Sequence, residues 1–137
     1  MKNLADCDRR RALGVLFACA LASTHAAANA PDSVDLAHAR AEHEAGRAVL
    51  IDIREPAEHS TGVARGAQLL PMRQLGARLA EIPTDPKRPV LLICNTQNRS
   101  SATVRALRER GFSHVSYVQG GMSEWARRGW PLVPPGR

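Results

Sequence analysis

Between residues 33 and 133 the chain alternates short apolar runs with longer stretches of mixed polarity. Two runs, Ala48-Val49-Leu50-Ile51-Asp52-Ile53 and Val90-Leu91-Leu92-Ile93, carry at least four consecutive apolar residues. Runs of that length without polar alternation predict strands covered on both faces. Shorter strands are expected at 66–71 and 114–118. The intervening pattern predicts a helix over 34–45, capped by Ser33 or Asp32 and stopped by Gly46. Further helices are expected at 56–59, at 72–80 with Leu75 and Leu79 inward, at 100–110 before Gly111, and at 122–128 after Gly120-Gly121. Pro83-Thr84-Asp85-Pro86 reads as a turn. Strands alternating with helices predict an α/β domain, a central parallel sheet with helices on both faces, which binds ligands beyond the carboxyl ends of its strands.

The first 28 residues follow another logic. Lys2, Arg9, Arg10 and Arg11 precede an apolar segment over 12–22 and a small-residue end, Ala26-Ala27-Ala28. This is the pattern of a cleavable export signal, and the apolar segment is too short for a lasting bilayer span. A buried N-terminal helix and an uncleaved membrane anchor are the alternatives. The expected organisation is a signal over 1–28, a short leader over 29–33, a domain over 34–133 and a tail over 134–137. A periplasmic or otherwise exported protein, soluble once the signal is removed, follows from that reading. Of three cysteines, Cys7 and Cys19 leave with the signal, so Cys94 has no internal disulfide partner.

About 110 residues suit one core. Phe112, Tyr117, Trp125 and Trp130 are its aromatics, so the core must rest on aliphatic residues. The net charge of +6 falls to +4 from Asn29 onward, with fifteen basic and eleven acidic residues. They are interspersed rather than clustered with aromatics, which argues against nucleic-acid binding and for a solvated surface that draws in small anions. The histidines have no metal-ligand spacing with a second cysteine, so no metal site is expected. His59 and His114 read as surface or capping groups, and His38 and His43 as lying on the exposed side of the first helix. Asp52 and Arg54 read as architectural, pairing at the strand end or with Glu58.

Candidate chemistry concentrates at Cys94. The strand ending at Ile93 delivers it into the polar loop Asn95-Thr96-Gln97-Asn98-Arg99-Ser100, and a helical pattern begins directly afterwards. A sulfur at such a junction lies beneath the free N–H groups and positive dipole end of the helix, which favour an anion.

Together these residues resemble the rhodanese, or thiosulfate sulfurtransferase, family over nearly all of 34–133. The resemblance rests on Leu50-Ile51-Asp52-Ile53-Arg54-Glu55-Pro56 with Glu58-His59, Gly62 to Gly66-Ala67 leading to Pro71, and the Cys94 loop through Arg99-Ser100. Val118-Gln119-Gly120-Gly121-Met122, Trp125 and Gly129-Trp130-Pro131-Leu132 complete it. With the export signal, the chain is most similar to small periplasmic members. The resemblance implies a persulfide mechanism: Cys94 takes the outer sulfur of a small anionic donor such as thiosulfate. It then passes that sulfur to cyanide in the test tube, or to a thiol or a protein acceptor in the cell. Cys94 is the implied nucleophile, and Asn95, Thr96, Gln97, Asn98, Arg99 and Ser100 are the implied donor-binding loop. Asp52, Arg54 and Glu58 are structural supports, and no cofactor beyond the covalent persulfide is expected. Four residues separate Cys94 from Arg99, whereas phosphatases and arsenate reductases of this fold carry five, a wider ring suited to a tetrahedral oxyanion. A non-catalytic binding module and a phosphatase or arsenate reductase are the competing readings. Two positions depart from the commonest loop, Cys-Arg-x-Gly-x-Arg. Asn95 replaces an arginine, and Gln97 stands where glycine is usual, so Gln97→Gly is expected to raise thiosulfate turnover.

Overall fold

The computed structural model describes residues 29–136. The expected signal lies outside them. Five parallel strands form one sheet in the order β1-β5-β4-β2-β3: β1 is Ser33–Val34, β2 Val49–Asp52, β3 Gln68–Leu69, β4 Val90–Ile93 and β5 Val115–Val118. Helices α1 (Leu36–Glu44), α2 (Pro56–His59), α3 (Asn98–Glu109) and α4 (Gly121–Arg127) connect or follow them.

Alternation along the strands sorts two cores. Leu50, Leu91, Ile93 and Val118 face α1 and α4, where Leu36, Ala39, Met122 and Trp125 close over them. Ile51, Ile53, Val90, Leu92 and Val115 face the other way, against Val104 and Leu107 of α3 and Leu70 and Ile82 from the β3–β4 connection. All four residues of β4 are buried, each contributing about 1.5–3 kcal/mol by leaving water. The expected α/β sheet with both faces covered is therefore the observed one.

Three local expectations are corrected. The first helix starts at Leu36 rather than residue 34, because Ser33 and Val34 pair with Tyr117 and Val118 as an edge strand. Asp35, not Ser33 or Asp32, caps it by accepting the His38 N–H at 2.9 Å. The expected helix over 72–80 is two 3₁₀ turns, Met72–Gln74 and Leu79–Glu81. Glycine is a poor interior helix residue, by about 1 kcal/mol, and Gly76 lies between the turns. Leu75 and Leu79 still pack half-buried against the second core. The segment read as a leader is tied down: the Ala30 N–H donates to Ser113 O, and the Arg108 guanidinium bonds the carbonyls of Ala30 and Pro31 and the carboxylate of Asp32. Among the described residues no helix is long and apolar enough to cross a membrane.

Candidate functional site

From β2 the chain runs first to its neighbour β3 and then to β4 on its other side. The carboxyl ends of β2 and β4 thus flank a switch point, where open parallel sheets bind ligands. Cys94 is the residue after β4. It extends the alternation Val90, Leu92, Cys94, so its side chain falls on the α3 face. There Sγ lies 3.4 Å from Ser100 Oγ in the first turn of α3. The Ser100 hydroxyl in turn donates to Gln97 O at 3.2 Å. It therefore accepts the hydrogen of a neutral thiol; beside a thiolate the same hydroxyl must turn its hydrogen to sulfur. Gln97 O keeps a partner either way, the Ser101 N–H at 2.8 Å. Cys94 is 1% exposed and Ser100 fully buried, whereas Asn95, Thr96, Gln97 and Asn98 are exposed. The sulfur is the floor of the loop, and a reagent reaches it only past those four residues.

The carbonyls of Cys94, Asn95 and Thr96 face the start of α4, whereas that of Gln97 faces the first turn of α3. Met122 N–H donates to Cys94 O at 2.8 Å, and Ser123 uses both its N–H (2.8 Å) and its hydroxyl (2.5 Å) on Asn95 O. In a trans peptide the N–H points opposite to its carbonyl. The amides of Asn95 and Thr96 therefore point away from α4. By the same geometry the amide of Asn98, joined to Gln97 O, projects outward from the start of α3. Among the described residues, none of the amides of Asn95 through Ser100 donates to a protein acceptor. Such a ring of unused main-chain donors suits an anion.

Gly121 makes the approach of α4 possible. It sits at φ +59°, and a Cβ there would lie 2.1 Å from Thr96 O, 2.5 Å from Cys94 O and 2.6 Å from Asn95 O. The Gln97 side chain adds a second tie, its Oε1 accepting the Gly120 N–H at 3.1 Å. Gln97 itself has φ −153°, so the glycine-favouring region is not used here.

Charges brace the loop from the other side. Arg99 forms a two-pronged pair with Glu58, at 2.6 and 2.8 Å, across 41 residues of sequence. That pairing, above all its hydrogen bonds, holds the Glu58 carboxyl down at about 2. The same contact raises Arg99, with a smaller contribution from negative charge on Cys94. Glu58 is fixed by a reciprocal capping box with Glu55 at the start of α2. Beneath it Arg54 grips both carboxylate oxygens of buried Asp52 and also reaches Glu58 O and Gly62 O. Asp52 and Arg54 thus pair with each other at the strand end, while Glu58 takes Arg99.

Three histidines differ from expectation. His59 is 4% exposed, with Nε2 3.4 Å from Asp52 Oδ1 and no hydrogen-bond partner. His114 is buried, with Nε2 2.7 Å from Pro83 O. His43 is half-buried against Arg65 O. Each lies against a residue of another segment, Asp52, Pro83 or Arg65, which local pattern does not reveal. Gly121 and Ser123 were missed as site residues. The Gly120-Gly121 doublet was the available signal, since two consecutive glycines ahead of a helix also mark close backbone approach.

A family model described as a rhodanese-like domain matches residues 35–128. A protein named sulfurtransferase from Allochromatium vinosum is 37% identical over 107 residues, covering 78% of this chain and 96% of that protein. The solved thiosulfate sulfurtransferase from Pseudomonas aeruginosa superposes with a TM-score of 0.67 at 27% identity, over 77% of this chain but 21% of that larger one. A rhodanese-related protein from Thermoplasma volcanium shares the fold over its whole length, with a TM-score of 0.66 at 23% identity.

Proposed function

The chain belongs to the rhodanese-like domain family, and from that premise we propose that it is an exported, single-domain sulfurtransferase that carries sulfur as a persulfide on Cys94. The observation that carries this reading is the run of unused amides, Asn95 to Ser100, in the loop that directly follows Cys94 and returns to it through Ser100. The Cys94 thiolate attacks the outer sulfur of thiosulfate; the bond between its two sulfurs breaks, sulfite leaves, and Cys94 is left as a persulfide anion. A thiolate or cyanide acceptor then attacks the terminal sulfur and regenerates the Cys94 thiolate. Each step displaces one sulfur-bound leaving group and conserves charge, so it requires neither metal nor organic cofactor. The ring of amides stabilises the persulfide anion when donors stand about 3 Å from it. Ser100 supplies the side-chain donor, Arg99 with Glu58 braces the loop, and Asp52 with Arg54 supports Glu58. Residues 1–28 act as the export signal in this reading.

A second reading, a non-catalytic binding module, is favoured by one observation, the 1% exposure of Cys94. The deciding experiment incubates the purified protein with thiosulfate and reads its intact mass, with peptide mapping. One added sulfur on the Cys94 peptide, absent in Cys94→Ser, supports the transferase. No added sulfur from any sulfane donor supports the module.

A further inference from the structure

Among the described residues, one buried side-chain polar atom has no hydrogen-bond partner, Nε2 of His59. Buried polar atoms are rarely left so, and each that is calls for a reason. The His59 side chain is 5% exposed, and the nearest charge to Nε2 is Oδ1 of fully buried Asp52, 3.4 Å away. That oxygen is already occupied. It accepts the main-chain N–H and the Nε–H of Arg54, both at 3.0 Å, while Oδ2 accepts Nε–H at 3.1 Å and Nη2–H at 2.7 Å. A carboxylate offers about four lone-pair positions, so Asp52 is full and the imidazole stands beside it unbonded. Held this way, the Arg54 guanidinium also reaches Glu58 O at 3.3 Å and Gly62 O at 2.8 Å. The charges around the ring are thus Asp52 and the Arg54 bound to it. On α2 itself the charged neighbours are Glu55 and Glu58, which fix each other through the capping box, and Glu58 turns its carboxylate to Arg99.

We propose, resting on the persulfide reading above, that His59 is a positioning residue that couples proton uptake to the sulfur loop. Imidazole is the side chain that ordinarily changes charge between about pH 5 and 8, and its cation carries N–H on both nitrogens. Protonated His59 closes on Asp52 Oδ1 and displaces the Arg54 Nε–H from that oxygen. Two cations then share one carboxylate, and the guanidinium gives up its longest contact, the one to Glu58 O. Glu58 is the partner of Arg99, so the loop loosens and Cys94 takes up sulfur more slowly. Only hydrogen bonds are exchanged, and the proton comes from solvent and returns to it.

The test measures sulfur loading of Cys94 from thiosulfate across this pH range in the full chain and in His59→Phe, a ring with nothing to protonate. Cys94 and the other histidines are common to both proteins, so their own titrations cancel in the ratio of rates. From the alkaline to the acid end wild type is expected to lose at least about threefold more rate than His59→Phe. His59→Gln, polar but unable to take up a proton, should match His59→Phe. In Glu58→Gln, where the brace is already broken, adding His59→Phe should leave the profile unchanged. A readout apart from activity is the NMR signal of Arg54 Nε–H, which should shift with pH in wild type and stay in place in His59→Phe. Superimposable rate profiles, or an Arg54 signal that ignores pH in wild type, overturn this inference and leave the sulfurtransferase standing. If no protein loads sulfur at any pH, the persulfide reading falls with the positioning role, and the Arg54 signal still decides whether His59 and Arg54 compete for Asp52.

Discussion

Substituting alanine for Gly121 tests whether the sulfur loop is held by the close approach of α4. The added Cβ would stand 2.1–2.6 Å from three loop carbonyl oxygens, where real contacts stay above 3.0 Å. No flexible side chain can yield, since all three atoms are backbone. The start of α4 must therefore withdraw, lengthening the 2.8 Å bonds from Met122 N to Cys94 O and from Ser123 N to Asn95 O. Their loss costs about 0.5–1.5 kcal/mol each. Holding a side chain at φ +59° adds about 1–2 kcal/mol. Together the change should destabilise the domain by about 3 kcal/mol, lowering Tm by about 12 °C at the sensitivity of a domain this size. Gly129→Ala is the matched control: its φ is +66°, but nothing lies within 4 Å of the added Cβ. It should show the backbone cost alone, about 1–2 kcal/mol. The assay is urea unfolding of both variants together with sulfur loading of Cys94. Equal losses in the two variants, or a Gly121→Ala protein that loads sulfur like wild type, would refute the claim that α4 orders the loop.

Other substitutions probe the remaining braces. In Glu58→Gln the Arg99 pair weakens, and sulfur loading should fall by about tenfold or more; unchanged loading would show that the brace does not order the loop. Because Arg99 holds Glu58 at about 2 rather than its ordinary 4.5, the pair's stabilisation is complete above pH 4.5 and is lost as pH falls toward 2. Urea midpoints should therefore separate wild type from Glu58→Gln at pH 7 and draw together only as pH falls to about 2. Gln97→Gly should lower sulfur loading, not raise it: Gln97 sits at negative φ, so glycine relieves no strain, while its loss removes the bond to Gly120 N. A faster Gln97→Gly enzyme would overturn that account. Ser100→Ala should slow persulfide formation while leaving the urea midpoint within about 1 kcal/mol, because Gln97 O retains the Ser101 N–H.

Strand β4 and the Cys94 loop were legible because their signals are local: an unbroken apolar run, one cysteine, and a polar stretch before a helical pattern. Period-two alternation even fixes the face on which the sulfur lies. The mutual pairing of Asp52 and Arg54 was equally readable, being two residues apart at a strand end. What escaped depends on distant segments. Edge-strand pairing of Ser33 and Val34 with β5 decided where α1 begins. The tie from Gln97 to Gly120 spans 23 residues and that from Arg99 to Glu58 spans 41. Gln97 was read as a substitute for a permissive glycine, whereas its side chain serves a partner that local pattern cannot name. The helix expected at 72–80 failed for the opposite reason: a suitable apolar spacing was outweighed by Gly76, and two shorter turns bury the same leucines.

The outer strands of the sheet have a bearing on how the molecule behaves in a crowd. Each of β1 and β3 contributes two residues. An unpaired strand edge is a template on which a foreign chain can add its own hydrogen-bonded ladder, and the hazard grows with its length. Here an intruder meets two rungs on either flank, while the long, strongly apolar strands stay in the interior. The fold thus keeps its stickiest segments from acting as seeds for fibrous growth, and it does so by brevity at the margins rather than by guard residues.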